Sequence, residues 1–203
     1  DELLKLIEEN IDVLDETAIL RAATLVKDND KKVALYKKAA EKFNSNAAQY
    51  NLAVTYIKMD ELNKAKNALE SVEKDADWNN AMGVIALRED NLDEASKYFA
   101  AAGNETAKEN AAIINILDGE YQAAVNNLAG VKSFNAALAQ VLVGNYAPAA
   151  ECKCECPASA YLRAVVAARQ GNAELVKKNL EVAKKCEKLA ARAEKDIEFA
   201  QYR

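Results

Sequence analysis

Three cysteines alternate with other residues as Cys152, Cys154 and Cys156, and a fourth, Cys186, follows thirty residues after the last of them. A thiolate can hold a soft metal ion, pair as a disulfide or attack an electrophile. Structural zinc sites bring two pairs of cysteines, each pair two to four residues apart, and this spacing departs from that pattern. The crowded C-x-C-x-C can still take a thiophilic ion, a single disulfide can form, or all four can be ordinary thiols. Cys152 and Cys156 stand one helical turn apart and would bridge only after local unwinding; Cys156 with Cys186 is the better-placed pair, since both should close second helices of adjacent repeats. The chain has no histidine. That removes the commonest general base, the commonest metal ligand and every His-containing triad, and leaves a cysteine nucleophile with no imidazole to activate it. The carboxylate pairs Glu8-Glu9 and Asp93-Glu94 fall on helix surfaces as solvated charges and caps, not as an acid/base couple. Lys37-Lys38 and Lys184-Lys185 suit the second-helix segments in which they lie. No glycine loop shaped to cradle a phosphate is present. The expectation is a protein with no catalytic residues, no cofactor and no metal.

The elements that must carry these residues repeat. A small residue opens a second helix at Ala65, Ala95, Ala124, Ala149 and Val176, with spacings of 30, 29, 25 and 27, and Lys32 takes the same place one repeat earlier. A polar or glycine-containing break precedes each: Asp28-Asn29, Asp60-Glu61, Asp90-Asn91, Asp118-Gly119, Gly144-Asn145 and Gly171-Asn172. Asn and Gly tolerate the left-handed conformation that ends a helix, so a first helix should stop there and a second begin. Between breaks the apolar period is helical: Leu52, Tyr56 and Met59; Ile113, Ile116 and Leu117; Leu138, Val141 and Leu142. The second helices show Leu69 and Val72, Phe99 and Ala102, Val125 and Leu128, and Leu180 and Ala183. Ala53, Gly83, Ala112, Ala137 and Ala164 on first helices face the small openers of second helices, which lets axes approach to ~8–10 Å. Pro148 fits a first helical turn, and Pro157 should open the next helix, which makes the cysteine cluster an inter-repeat turn. Trp78 at the head of a first helix reads as a packing anchor between repeats or as an exposed platform for a ligand.

The stretch Tyr50-Asn51-Leu52-Ala53-x-x-Tyr56, with Ala65, Leu69 and Val72, resembles the tetratricopeptide repeat (TPR) family. Asn80-Ala81-Met82-Gly83-x-x-Ala86, with Ala95, Phe99 and Ala102, resembles it as well, and Ile19-Leu20-x-x-Ala23 with Tyr36-x-x-Ala39 fits except for Lys32. The likeness runs from about Leu14 to Cys186, and the later repeats fall short of the family's ~34 residues. It implies an all-α, right-handed α-α superhelix, a TPR-like solenoid of about six helical hairpins occupying residues 1–203 as one domain. Residues 1–11 would be a truncated leading helix with Leu3 and Leu6 in phase, 13–186 the repeats, and 187–203 a capping helix striped by Leu189, Ala193, Ile197 and Ala200. It further implies a concave groove for an extended peptide, lined by Tyr50, Asn51, Val54, Asn80, Val84, Glu109, Asn110, Ile113, Phe134, Asn135, Leu138, Tyr161 and Val165. An Asn carboxamide donates and accepts, so a row of them can pair with successive peptide groups without reading sequence. The same amides can instead satisfy local backbone or face water. The basic residues of a carboxylate clamp are not evident, which disfavours an acidic C-terminal tail as ligand.

Bulk properties point the same way. At 51% hydrophobic, the 203 residues can bury a sizeable core, while six Gly and two Pro are too few for a turn-rich sheet protein. A net charge of −5 with interleaved signs lacks the basic face that nucleic acid requires. No run approaches the ~18 apolar residues of a membrane span, so no direct membrane insertion by this segment is expected. The chain opens at Asp1 already inside an amphipathic pattern, which reads as a fragment or mature form. The run Lys195-Asp196-Ile197-Glu198-Phe199 resembles the ends of TPR segments in bacterial cell-envelope proteins, some attached to outer-membrane porin-like domains. The function expected is a protein–protein interaction module or scaffold whose partner is a protein or peptide, in the periplasm or cell envelope before the cytoplasm. The alternative is a structural spacer or assembly element of a larger envelope protein.

Overall fold

The computed structural model describes residues 2–151 and 154–202, and among them the protein is helical with no strand. Cys152, and the side chain of Leu3, lie outside what is described. The chain divides into two compact units, Asp1–Asn110 and Ala111–Arg203.

The first unit opens with α1 (Glu2–Asn10), where Ile7 rather than Leu6 is buried. Three helical hairpins follow: α2 (Glu16–Leu25) with α3 (Asn29–Phe43), α4 (Asn46–Lys58) with α5 (Leu62–Leu69), and α6 (Ala76–Arg88) with α7 (Leu92–Ala102). The first turns of α8 (Glu105–Leu117) complete it. One continuous core threads the hairpins, through Ile19, Leu35, Tyr36, Leu52, Tyr56, Leu69 and Ile85. The second unit holds the rest of α8, α9 (Tyr121–Asn127), the pair α10 (Phe134–Leu142) and α11 (Ala147–Glu151), and the pair α12 (Pro157–Arg169) and α13 (Ala173–Ala183). A short α14 (Glu187–Ala193) and a 3₁₀ segment, Ile197–Tyr202, close it. The six expected hairpins are thus six pairs of helices, and the described residues form an all-α fold of paired helices.

Local chemistry explains where the helices stop. Asp60, Asp90, Gly119, Gly144 and Gly171 all have left-handed φ, between 61° and 88°. The N–H that follows each reaches back five residues: Glu61 to Tyr56 O, Asn91 to Ala86 O, Glu120 to Asn115 O, Asn145 to Gln140 O and Asn172 to Ala167 O. This is the Schellman closure, which satisfies carbonyls that a helix end leaves bare. The Asp28 break works differently, because its φ is −74° and its carboxylate caps α3 through Lys31 N. Side chains of Asp15, Ser45, Asp75, Asn91, Ser133 and Asn172 cap six further starts, whereas α5, α9, α12 and α14 begin without a side-chain cap.

Most of the small residues are buried as expected, namely Ala53, Ala65, Ala95, Ala112, Ala124, Ala149 and Ala164, but Ala137 is half-buried and Ala139 is the buried alanine of α10. The shorter repeats lose their residues from helices, since α9 has 7 residues and α10 has 9, against 13 in α4, α6 and α12.

Two expected stripes are displaced. Leu117 is 62% exposed and Ile114 is buried in its place. Ile113, Ile114, Ile116 and Leu117 together span too much of the helix circumference for all to face inward, and periodicity alone cannot choose among them. At the C-terminus no single capping helix forms. Helix α14 ends at Ala193, and Asp196 starts a 3₁₀ turn by accepting Glu198 N on Oδ1 at 3.1 Å. A three-residue period aligns Phe199 with Tyr202 and turns Ile197 out, to 85% exposure.

Candidate functional site

In the first unit the expected ligand face is built by α4, α6 and the start of α8. Tyr50, Asn51 and Val54 on α4, Asn80 and Val84 on α6, and Glu109 and Asn110 on α8 are all half-buried. Such positions are anchored to the core on one side and open on the other. Tyr50 and Val84 pack on the unit's core, so the floor of this face is preformed. Asn110 Nδ2 donates to Asn80 Oδ1 at 2.9 Å, across thirty residues. The bond consumes one group of each carboxamide and leaves a donor on Asn80 and an acceptor on Asn110. That complement matches a peptide group, one C=O and one N–H. Among the described residues the Asn51 carboxamide has no side-chain partner, while its backbone carbonyl accepts from Thr55 Oγ1 at 2.8 Å.

The electrostatics of this face are set by acids. Burial, and then the carboxylates of Asp77 and Asp75, push the Tyr50 phenol above its ordinary value, so it stays a neutral donor. Glu109 adds a third acid beside Asn110. An anionic ligand would meet like charge here.

Trp78 begins α6 and anchors the preceding hairpin. Its Nε1–H donates to Leu69 O at 3.0 Å, and its ring stands edge-on to Tyr98 at 5.8 Å with Lys74 Nζ above it at 5.3 Å.

In the second unit the expected residues are less uniform. Ile113, Asn135, Leu138 and Val165 are half-buried, and Phe134 at the head of α10 is 41% exposed. Asn135 has no side-chain partner among the described residues. Tyr161 is only 8% exposed and is already occupied. Its hydroxyl donates to Asp196 Oδ2 at 2.5 Å, Phe199 stands edge-on to its ring at 5.5 Å, and the Arg192 guanidinium lies 5.7 Å from the ring centre. Tyr161 therefore clasps the C-terminal segment rather than facing a ligand. Burial and then the Asp196 hydrogen bond push its phenol up to about 12.

Of the readings open to the cysteines, the described three take that of ordinary thiols. Cys154, Cys156 and Cys186 are free thiols, and Cys156 and Cys186 stand at the N-caps of α12 and α14 instead of closing second helices. Among the described residues no three His, Cys, Asp or Glu side chains converge as metal ligands. Sequence reasoning missed what the Cys156 position does. Cys156 Sγ lies 3.2 Å from Ser159 Oγ, and the Cys154 thiol and then the Ser159 hydroxyl hold it well below the ordinary thiol range, at about 7. The signal was the run Cys156-Pro157-Ala158-Ser159, which puts sulfur at the N-cap and a hydroxyl at the third helical position. No helix among the described residues is long and apolar enough to cross a membrane.

One solved structure covers nearly the same length. It is described as the crystal structure of YrrB, a TPR protein with an unusual peptide-binding site, and it aligns over 97% of this chain and 99% of that one, at 19% identity and a TM-score of 0.46. No family model matches the chain, and no curated protein does.

Proposed function

We propose that this protein is an interaction module that binds an extended segment of a partner protein on the first-helix face of its N-terminal unit. The observation that carries the reading is the Asn80–Asn110 pair, held by the fold with one donor and one acceptor left over. Asn51 supplies a further unpartnered amide, while Tyr50, Val54 and Val84 give an apolar floor over which a backbone can lie. A stack of rigid hairpins needs little reordering to present such a face, so the ordering cost of binding falls mainly on the peptide. The acids Asp75, Asp77 and Glu109 favour a neutral or basic segment over an acidic one. Nothing in the arrangement of these groups performs chemistry on a ligand.

The test is selection of extended peptides from a random displayed library against the intact protein, followed by affinity measurement with Asn51, Asn80 and Asn110 all changed to Ala. Each lost amide pairing should cost about 0.5–1.5 kcal/mol, so the triple variant should bind at least tenfold more weakly. Its melting temperature should hardly move, because removing both members of the Asn80–Asn110 pair leaves neither unsatisfied. Unchanged affinity for the selected peptides would reject this face as the binding surface.

A further inference from the structure

A second place in the molecule carries chemistry of a different kind, independent of the first-helix face. In the C-terminal unit a cleft of about 580 Å³ opens along α12 and α13. Its volume lies within the ~300–1,000 Å³ of small-molecule sites. Leu175 and Val182 supply apolar wall, and the charged lining residues are Arg163, Lys178 and Lys185 against the single carboxylate of Glu155. The cleft is thus locally cationic in a chain whose net charge is −5.

The turn that carries the thiols borders this cleft. Glu155, which separates Cys154 from Cys156, belongs to the lining. Arg163 Nη1 donates to the Cys154 carbonyl at 2.8 Å while its Nε donates to Asn179 Oδ1 at 3.1 Å, so one side chain fixes both the turn and the cleft wall. Cys154 and Cys156 are both exposed. One short turn holds both: Cys156 N donates to Cys154 Sγ at 3.3 Å, and Cys156 Sγ lies 3.2 Å from Ser159 Oγ. Two exposed thiols on one short turn, beside a cationic cleft, form an arrangement that neither feature makes alone.

We infer that the Cys154–Cys156 dithiol is a thiol–disulfide exchange site for a small anionic disulfide, whose carboxylates are received by Lys178 and Lys185. The Cys156 thiolate attacks one sulfur of the disulfide RSSR, forming a Cys156–SR mixed disulfide and releasing RS⁻. Cys154 gives up its proton to solvent and attacks Cys156 Sγ, which expels the second RS⁻. Both leaving thiolates take up protons. The two protein thiols are oxidised to one disulfide, and RSSR is reduced to two RSH. The Ser159 hydroxyl, 3.2 Å from Cys156 Sγ, turns to donate to the thiolate and serves the activating role for which the chain has no histidine.

The intact protein is reduced, then exposed to oxidised glutathione or to the neutral hydroxyethyl disulfide, quenched by alkylation and digested with trypsin. Cleavage after Lys153 and Arg163 releases residues 154–163, which contain Cys154 and Cys156 and neither of the other cysteines. The expected product is an internal disulfide in that peptide, formed about tenfold faster with the anionic oxidant at low salt. Lys178→Gln with Lys185→Gln should bring the glutathione rate toward the neutral one, and Cys154→Ser should stop the reaction with the mixed disulfide on Cys156. A 154–163 peptide with both thiols still free, or a disulfide reaching Cys152 or Cys186, would overturn the dithiol. Equal rates for the two oxidants, unmoved by the lysine changes, would overturn the cleft as the receptor.

Discussion

Gly83 offers a sharp test of how closely the hairpins are packed. It lies in the middle of α6, where replacing Gly by Ala ordinarily gains about 1 kcal/mol of helix propensity. Here a Cβ would stand 2.5 and 2.6 Å from two carbons of the Phe99 ring and 3.0 Å from a third. Carbon–carbon contacts relax at about 3.5–4.0 Å, so the ring or the helix must yield by about 1 Å. Phe99 is 2% exposed and belongs to α7, the other half of the same hairpin, so the ring cannot swing into solvent. Overpacking of this kind costs about 1–3 kcal/mol, which outweighs the propensity gain. Gly83→Ala should therefore destabilise by up to about 2 kcal/mol and lower the melting temperature by up to about 8 °C in a chain of this size. A double-mutant cycle with Phe99→Leu isolates the cause. With the ring gone, Gly83→Ala should become nearly neutral, a coupling of about 1 kcal/mol or more. A Gly83→Ala protein that melts at or above the wild type, or strict additivity in the cycle, would refute the claim that this contact sets the hairpin spacing.

Other consequences can be checked by routine measurements. The Tyr161 phenol is raised to about 12, above the unfolded value near 10, so the folded state holds its proton more tightly. That contribution is complete below pH ~10 and is lost as pH rises toward ~12, so the melting temperature should fall across this window. Tyr161→Phe should show a shallower fall, and an identical slope would argue against the Tyr161–Asp196 clasp. Trp78→Phe keeps an aromatic ring beside Tyr98 but deletes the donor to Leu69 O. The urea midpoint should drop by an amount worth about 1 kcal/mol with the slope unchanged, and an unmoved midpoint would count against the anchor.

The sequence alone determined the helix pairs and where they end. Asp60, Asp90, Gly119, Gly144 and Gly171 act over five residues, through left-handed backbone and one returning hydrogen bond, so reading the chain locally suffices. The small residues at crossings were legible for a related reason, because a helix axis can come close only where no bulky side chain stands. Tertiary structure decided which of several apolar neighbours faces inward, as with Ile114 over Leu117 and Phe199 over Ile197. Part of the candidate site was legible too, since Asn51, Asn80 and Asn110 stand half-buried on first helices. That Asn80 binds Asn110, that Tyr161 is taken by Asp196 thirty-five residues away, and that Cys156 Sγ meets Ser159 Oγ are facts of proximity. Periodicity records which way a residue points along its own helix. What stands opposite it depends on how neighbouring helices settle against one another, and that is fixed only when the apolar surfaces are buried together.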